Sequence, residues 1–519
     1  MPNQCGRRPL INFNSLRHSL AEDLMSSGLF PSLDRRDALR FSSLVCSPVR
    51  LSVEPAYVHA VKAWRKLLCT NCTGDSELVS LIAPFSVLAA RRDGLFTFRE
   101  ECGAQVQVLN RSFLLCWKSQ FPSPMASWQD FVRRVSRSGN PTLDQDQVSV
   151  LRKELSFLRA PCNWSMLRGR NGPGAVAGGE RGAMKWLFAN RPHGVPMDFF
   201  RLNPTHVVEE PWCEPVKYGI TRALQVPKDA RGPRFISCEP LAFQHAQFAV
   251  KDWLEHQILS RYSRYLDPYD TGKHTAYLED RSFCTIDLKD ASDMVSRRLV
   301  WSVFPREVAE MLFRVRSTFV SVNGNVVPLR TFAPMGSSLC FDIMQCIIVA
   351  ALKSLTNAAL MGFHQFGDDG IVARGAYYPT LLVLASLGLK VNTTKCCGPD
   401  SRFRESCGEE WFWDMDDRID IRPIYLRDVT ENRKAATSLL LASQRLAECG
   451  FKATSEVLDS SSAALRVERP RQWRWNTQLQ RMEIRTVRIA PLPPETEELD
   501  GYPGLYRWFS AKAEDHLLD

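Results

Sequence analysis

Two adjacent carboxylates, Asp368 and Asp369, lie in His364-Gln-Phe-Gly-Asp-Asp-Gly-Ile-Val-Ala373, with apolar residues on both sides. The pattern predicts strand, tight turn, strand, with Gly367 supplying the backbone freedom at the bend. Neighbouring carboxylates repel, so a fold keeps them together only where something offsets the repulsion. A divalent cation does so, and hard oxygen ligands suit Mg²⁺ or Mn²⁺. Gly-Asp-Asp is also ordinary turn chemistry, so the pair gains meaning only from partners elsewhere. One partner is Asp287, at the end of a predicted buried strand over 282–286. There it can reach a metal shared with Asp368, or cap the next helix. Asp293 follows on the first turn of that helix, where it and Asp290 equally suit capping or a surface.

Cations form the second set. Lys228, Arg231 and Arg234 lie in an extended segment broken by Pro227 and Pro233. Three cations on a stiff ribbon suit a triphosphate, Arg bidentately and Lys as a point charge; a basic surface hairpin would use the same residues. In the turn at Gly336 and Ser337, backbone can approach a ligand and a hydroxyl can bond a sugar or phosphate; it reads equally as a loop and helix cap. The Gly/Arg-rich stretch 168–182 is either a flexible linker or a loop that approaches a phosphate chain, with Arg168, Arg170 and Arg181 nearby.

The elements that must position these groups are legible in part. Alternation from Arg234 to Cys238 predicts a strand, and 241–259 a helix. Pro305 opens a helix to Arg316, and Asn323-Gly324 between two β-rich runs predicts a hairpin over 318–329. Further helices are predicted from the Gly336 turn through Ala351, over 378–387, and over 434–450 with Gly450 closing it. Phe403–Trp413 reads as a turn and strand, and Met482–Ile489 as a strand. Arg469-Pro-Arg-Gln-Trp-Arg-Trp475 interleaves Arg with Trp, which suits stacking on bases or a packed surface patch. Pro491–Asp500 reads as a linker or arm. Residues 1–160 read as mostly helical, at 58–68, 113–117 and 128–135, with Arg pairs such as 133–134 on solvated faces or, for a minority, lining an RNA path.

Composition bounds the class. The 519 residues suffice for about three or four domains or subdomains. A formal net charge of +9 fits a polyanion partner without demonstrating one. The 16 Cys show no framework of spacings, and Cys69 and Cys72 form a lone CxxC, so buried reduced thiols are favoured over a structural zinc. The N-terminus lacks a signal-peptide core, and the apolar run 343–352 is too short to span a bilayer. A soluble protein that is not exported is therefore expected.

Basic ribbon, Asp-ended strand, Gly/Ser turn and paired-Asp hairpin occur in that order, and the order is far more specific than any member. Over about residues 165–430 the chain resembles the RNA-dependent RNA polymerases of positive-strand RNA bacteriophages, the levivirus replicase subunits. The resemblance is carried by Gly172-Pro-Gly-Ala175, Val226-Pro-Lys228 through Glu239-Pro240, Ile286-Asp-Leu-Lys-Asp-Ala-Ser-Asp293, Met335-Gly336, Gly367-Asp-Asp369 and Phe403-Arg-Glu-Ser-Cys-Gly408. Gly370 and Ser337-Ser338 depart from the family's wording.

The resemblance implies an α+β right-hand polymerase. Its N-terminal helical region would be 1–160, the fingers 161–283, the palm 284–420 and the thumb with a C-terminal arm 421–519. It implies RNA synthesis from NTPs on an RNA template, with two Mg²⁺ ions held by Asp287, Asp368 and Asp369. Lys228, Arg231 and Arg234 would neutralise the triphosphate, Asp293 would accept from the ribose 2′-hydroxyl, and Gly336 and Ser337 would line the nucleotide site. Lys395 would give a proton to pyrophosphate. Host elongation factors Tu and Ts and a ribosomal protein are the implied partners, with no membrane, and the cytoplasm of an infected bacterium is the implied location. A reverse transcriptase shares the acidic set but usually has Ala or Val before the paired Asp. A non-catalytic RNA-binding relic and a metal phosphohydrolase are the remaining alternatives.

Overall fold

The most apolar run, 343–352, is interrupted only by Gln345, and a helix that is apolar nearly all round must be buried nearly all round. A computed structural model places it so. It describes residues 10–46, 55–119, 128–161, 167, 169–172, 174–181, 185, 218–356, 358–427, 435–465, 471–476 and 481–486. The helix runs Cys340–Leu355, past the expected Ala351, and every residue from Asp342 to Leu352 is buried. Helices Gln145–Glu154, Leu241–Tyr262 and Tyr377–Ser386 pack around it. Among the described residues no helix is long and apolar enough to cross a membrane.

The strands, in chain order, are β1 (Leu88–Ala90), β2 (Phe96–Phe98), β3 (Gly219–Asp229), β4 (Gly232–Cys238), β5 (Phe283–Asp287), β6 (Ser317–Val322), β7 (Asn325–Pro328), β8 (Phe363–Phe366), β9 (Asp369–Ala373), β10 (Phe403–Ser406), β11 (Glu409–Asp414), β12 (Asp417–Asp420), β13 (Arg471–Asn476) and β14 (Arg481–Thr486). Three sheets matter for the site. One has the order β4-β3-β6-β7 and carries the basic ribbon as the β3–β4 hairpin. The second, β5-β9-β8, is antiparallel and carries the acidic residues. The third, β10-β11-β12, presents its β10–β11 turn to the second. The mixture of helices and largely antiparallel sheets is α+β, as expected.

Local chemistry explains the turns. Asn323 and Gly324 adopt φ of +51° and +86°, the two left-handed residues that a type I′ hairpin demands. Gly450 closes helix Ala435–Glu448: its N–H bonds Ala447 O at 3.0 Å and the Phe451 N–H bonds Leu446 O at 2.9 Å, a Schellman pair. In the N-terminal region, helices Pro55–Thr70 and Trp128–Arg137 cover the expected spans, but Gly103–Leu114 ends before Trp117.

The chain divides into units 1–461 and 462–519. The site lies in the first; the described part of the second includes the antiparallel β13–β14 pair. Arg168, residues 466–470, 487–489 and the Pro-rich 491–500 lie outside the described residues. The described part of the Gly/Arg stretch is docked: Arg170 makes a two-bond contact to Asp252 (2.7 and 2.8 Å), and buried Lys185 donates to Gly172 O (2.6 Å) and Gln244 Oε1 (2.9 Å).

Candidate active site

The acidic residues meet at one end of the β5-β9-β8 sheet. Asp287, the last residue of β5, is the direct cross-strand partner of Asp369, the first residue of β9. Asp368 lies in the two-residue turn between β8 and β9. Gly367 enters that turn at φ +61°, which is the single positive φ of a type II′ hairpin. A Cβ on Gly367 would lie 2.5 Å from the Phe341 ring, so the turn tolerates only glycine there. Two glutamines fix it. Gln345 Oε1 accepts the Gly367 N–H at 3.0 Å, and Gln365 Nε2 donates to Gly367 O at 2.9 Å. Gly370 leaves room for that Gln365 amide, whose Oε1 would stand 2.9 Å from a Cβ at 370.

Each carboxylate has a different surrounding. Asp287 is buried and receives Lys395 Nζ at 2.9 Å and Asn392 Nδ2 at 2.5 Å. Asp369 receives the Cys407 N–H at 3.1 Å from the β10–β11 turn. Its carboxyl is pushed well above the usual range, first by burial, then by the charges of Glu405, Asp368 and Asp287. Asp368 is raised too, by the protein crowded around the turn and then by Asp287, although its side chain reaches solvent. Burial works against the Lys395 ammonium, but Glu405 and Asp287 overcome it and hold the lysine above its ordinary range. Lys395 thus supplies positive charge that the crowded carboxylates require.

The donor set suits a hard divalent cation: it is all oxygen, and two of its members bind protons more readily than usual, first because they are buried and then because other carboxylates stand beside them. Among the described residues no three His, Cys, Asp or Glu side chains stand close enough to hold a metal ion as they are placed.

The basic hairpin faces this acidic end. Arg234 draws the Asp368 affinity for protons back down, and the Asp287 charge reaches Arg231. Lys228 and Arg234 are exposed beside a register shift between Val226 and Asp229. Lys228 is pushed down to about 8 by partial desolvation and by Arg234 and Arg231, as happens where cations are gathered without their anion. Arg231 differs from the expectation: its fork is engaged by Asp229 (3.0 and 2.6 Å).

Gly336 and Ser337 also differ from the ligand-facing role expected of them. Gly336 has φ +113°, and a Cβ there would lie 2.3 Å from Ser237 O, so the glycine serves the approach of its loop to β4. Buried Ser337 donates inward to Gln247 Oε1 at 3.0 Å, which also accepts the Ser338 N–H at 3.1 Å. Asp293 is buried on the short helix Ala291–Met294, its carboxyl pushed up to about 6 by burial and Asp290 against the pull of Arg134.

Comparison with known proteins adds the family. The model of the RNA replicase beta-chain family matches residues 200–477, more than half of the chain. The chain belongs to that family. It is 35% identical over 166 residues to the RNA-directed RNA polymerase beta chain of Escherichia phage MS2, covering 31% of this chain and 29% of that protein. It is 31% identical over 218 residues to the RNA-directed RNA polymerase subunit beta of Enterobacteria phage SP, covering 40% and 36%. The chain thus spans about a third of the length of the curated relatives it matches. A solved RNA-dependent RNA polymerase of a human picobirnavirus superposes with a TM-score of 0.42 at 10% identity, over 68% of this chain and 80% of that one.

Within this replicase-family chain, several site residues carry no motif. Asn392 has one weak signal, its place three residues before Lys395. Gln345 and Gln365 have none that a single sequence displays, and Glu405 stands in the Phe403–Gly408 segment without a role that the segment announces. Nor does the histidine layer below the Asp369 turn. Buried His274 meets Ser406 Oγ at 2.6 Å, and its ring packs edge-on against His364 with centroids 4.9 Å apart. Among the described residues, His274 Nε2 and both His364 nitrogens have no hydrogen-bond partner, so none of those residues holds a second proton there. Burial and His364 push His274 down to about 3; burial and Lys273 push His364 down to about 4. Because these folded-state values lie below that of an unfolded histidine, the neutral pair's contribution is complete above about pH 6.5 and is lost as pH falls toward 4. The unfolding free energy from urea titrations should therefore fall by a few kcal/mol over that window, since each histidine contributes a slope of at most about 1.4 kcal/mol per pH unit. His274→Gln should flatten the decline; an unchanged slope would show that carboxylates alone set it.

Proposed function

We propose that this chain carries out RNA-templated RNA synthesis from NTPs, replicating a viral RNA genome. The observation that carries the reading is the cross-strand pairing of Asp287 with Asp369, with Asp368 in the β8–β9 turn next to Asp369 and cations of the basic hairpin acting on Asp287 and Asp368. Family membership supports it. So does the surplus of negative charge at the sheet end, which suits Mg²⁺ or Mn²⁺ on Asp287, Asp368 and Asp369. Two such cations, when bound, stabilise the attacking 3′-oxygen and the leaving oxygen of an in-line displacement.

The chain's own residues do the rest. Lys228 and Arg234 neutralise the triphosphate. Lys395, held as a cation beside Asp287, is the proton source for pyrophosphate. Asp293 accepts from the ribose 2′-hydroxyl. In this reading the β5-β9-β8 sheet and the Cys340–Leu355 helix are the palm (284–420). The basic hairpin belongs to the fingers (161–283) and 421–519 to the thumb and arm, with 1–160 bridging. Host elongation factors Tu and Ts, a ribosomal protein and the cytoplasm of an infected bacterium complete the proposal.

The test is incorporation of labelled NTPs on an RNA template by the purified chain, alone and with bacterial extract. Growth from dNTPs in preference to NTPs would favour a reverse transcriptase, and no growth in either condition would refute the reading. Lys228→Gln should raise the NTP KM about tenfold with a smaller fall in kcat, since it removes ground-state charge pairing. The wild-type KM should climb above pH about 8, where the Lys228 ammonium is lost. A KM flat across that range would remove Lys228 from the triphosphate site.

A further inference from the structure

Arg134 belongs to helix Trp128–Arg137, outside the segment that matches the family, and its sequence neighbourhood suggests a solvated face or an RNA path. The structure turns it inward. Its Nη1 donates to Asp290 Oδ1 at 3.2 Å, and its Nε stands 3.5 Å from Asp293 Oδ2, an ion-pair contact without hydrogen-bond geometry. The helix that carries it is clamped to the same loops. Val135 O accepts the Arg330 N–H at 2.8 Å, and the Gly139 N–H bonds Met294 O at 2.8 Å. A Cβ at Gly139 would stand 2.3 Å from Met294 O and 2.4 Å from Gly388 O, so the approach depends on that glycine. Phe131 stacks on Phe235 of β4 with centroids 5.0 Å apart, which fixes the helix from the other side.

Asp290 is held at φ +51° with its carboxylate on the guanidinium. Asp293 is only 7% exposed, yet among the described residues its Oδ1 has no hydrogen-bond partner. A buried, charged oxygen left open beside a nucleotide site is an acceptor awaiting a donor. Besides Arg134, the group that favours its charge is the Met335 backbone amide.

We propose that Arg134 is the positioning residue for sugar recognition: hydrogen-bonded to Asp290, its guanidinium stands as the ion-pair partner of Asp293 Oδ2 and so keeps that carboxylate in place, leaving Oδ1 to accept the 2′-hydroxyl of the incoming ribonucleotide. The proposal rests on the polymerase reading and on the role of Asp293 in it. It adds a residue from the N-terminal region to the nucleotide site.

The test compares kcat/KM for GTP and dGTP on an RNA template, using the full chain and its Arg134→Gln, Arg134→Lys and Asp293→Asn variants. Arg134→Gln should lower the GTP-to-dGTP preference about tenfold, chiefly through GTP, because dGTP offers no hydroxyl to misplace. Arg134→Lys should restore part of it, since charge returns without the fork. Asp293→Asn should lose at least as much preference. Equal losses for both nucleotides in Arg134→Gln, with preference lost in Asp293→Asn, would overturn the positioning role and leave Arg134 a structural brace. An unchanged preference in Asp293→Asn would overturn the sugar role of Asp293 itself. If Arg134→Gln does not fold, Arg134→Lys decides alone: a reduced preference supports the role and a wild-type preference overturns it.

Discussion

Asp368→Asn abolishes nucleotide incorporation, by at least about a thousandfold, while the protein melts at the same temperature or higher. The two halves of this expectation have one cause. The wild-type carboxylate is raised by crowding and by Asp287, which means that its charge is held against local repulsion. Asparagine keeps the shape and removes the charge, so the turn relaxes electrostatically. Its backbone stays fixed by Gly367 and by the bonds from Gln345 and Gln365. On the proposed reading, what would disappear is an anionic ligand for cations that would stabilise charge on the transferring phosphoryl group, a contribution of several kcal/mol to the barrier. RNA binding, which the proposal does not assign to Asp368, should persist in a filter or anisotropy assay. Synthesis at wild-type rate would sink the metal assignment. A lower melting temperature would contradict the repulsion on which it rests.

The sequence displays this site unevenly, and the reason is physical. A strand that ends at Asp287 and a hairpin that bends at Gly367 announce themselves, because alternation and turn residues are local properties. Cross-strand register follows once both are antiparallel neighbours. The basic ribbon is likewise local, and it forms the β3–β4 hairpin. Gly336 is legible as a special glycine but not for its reason: the partner that crowds it, Ser237, is far away in the chain. The Ser337 hydroxyl, read as ligand-facing, turns toward Gln247 for the same kind of reason. Arg65 and Arg134 are the clearest losses. Each sits on a helix face whose spacing looks solvated, and each is paired with carboxylates more than 150 residues away, at Asp290 for Arg134 and Glu410 for Arg65. No period or motif records a contact of that kind.

Arg65 gives the largest expected effect on stability. Its Nη1 lies 2.6 Å from Glu410 Oε2 and its Nη2 3.7 Å from Glu405 Oε2, and the guanidinium sits 4.8 Å above the centre of the Phe403 ring. Asn110 Nδ2 also donates to Glu410 Oε2 at 3.0 Å, and the Trp64 indole N–H holds Asn110 Oδ1 at 3.0 Å. Arg65→Met keeps the apolar stem and removes the charge that buried Glu410 and partly buried Glu405 share. Breaking a buried pair from one side costs about 3–5 kcal/mol, because the charge left behind is neither solvated nor matched. The pH dependence has a definite sign. Burial already raises Glu410, and Arg65 is the main group opposing it. Without Arg65 the folded-state value rises further, so the protonated, tolerated form is present at low pH and is lost as pH rises through that value. The deficit of Arg65→Met against wild type should therefore be smaller at pH 5 than at pH 8. Adding Glu410→Gln should return part of the loss, with a coupling energy that a double-mutant cycle reads directly. Glu405 would still be unpaired in the double variant, and its charge acts on both Asp369 and Lys395. Activity should consequently recover less than stability does. Equal recovery of both would mean that the Arg65 network braces the sheet without setting the charge balance at Asp369.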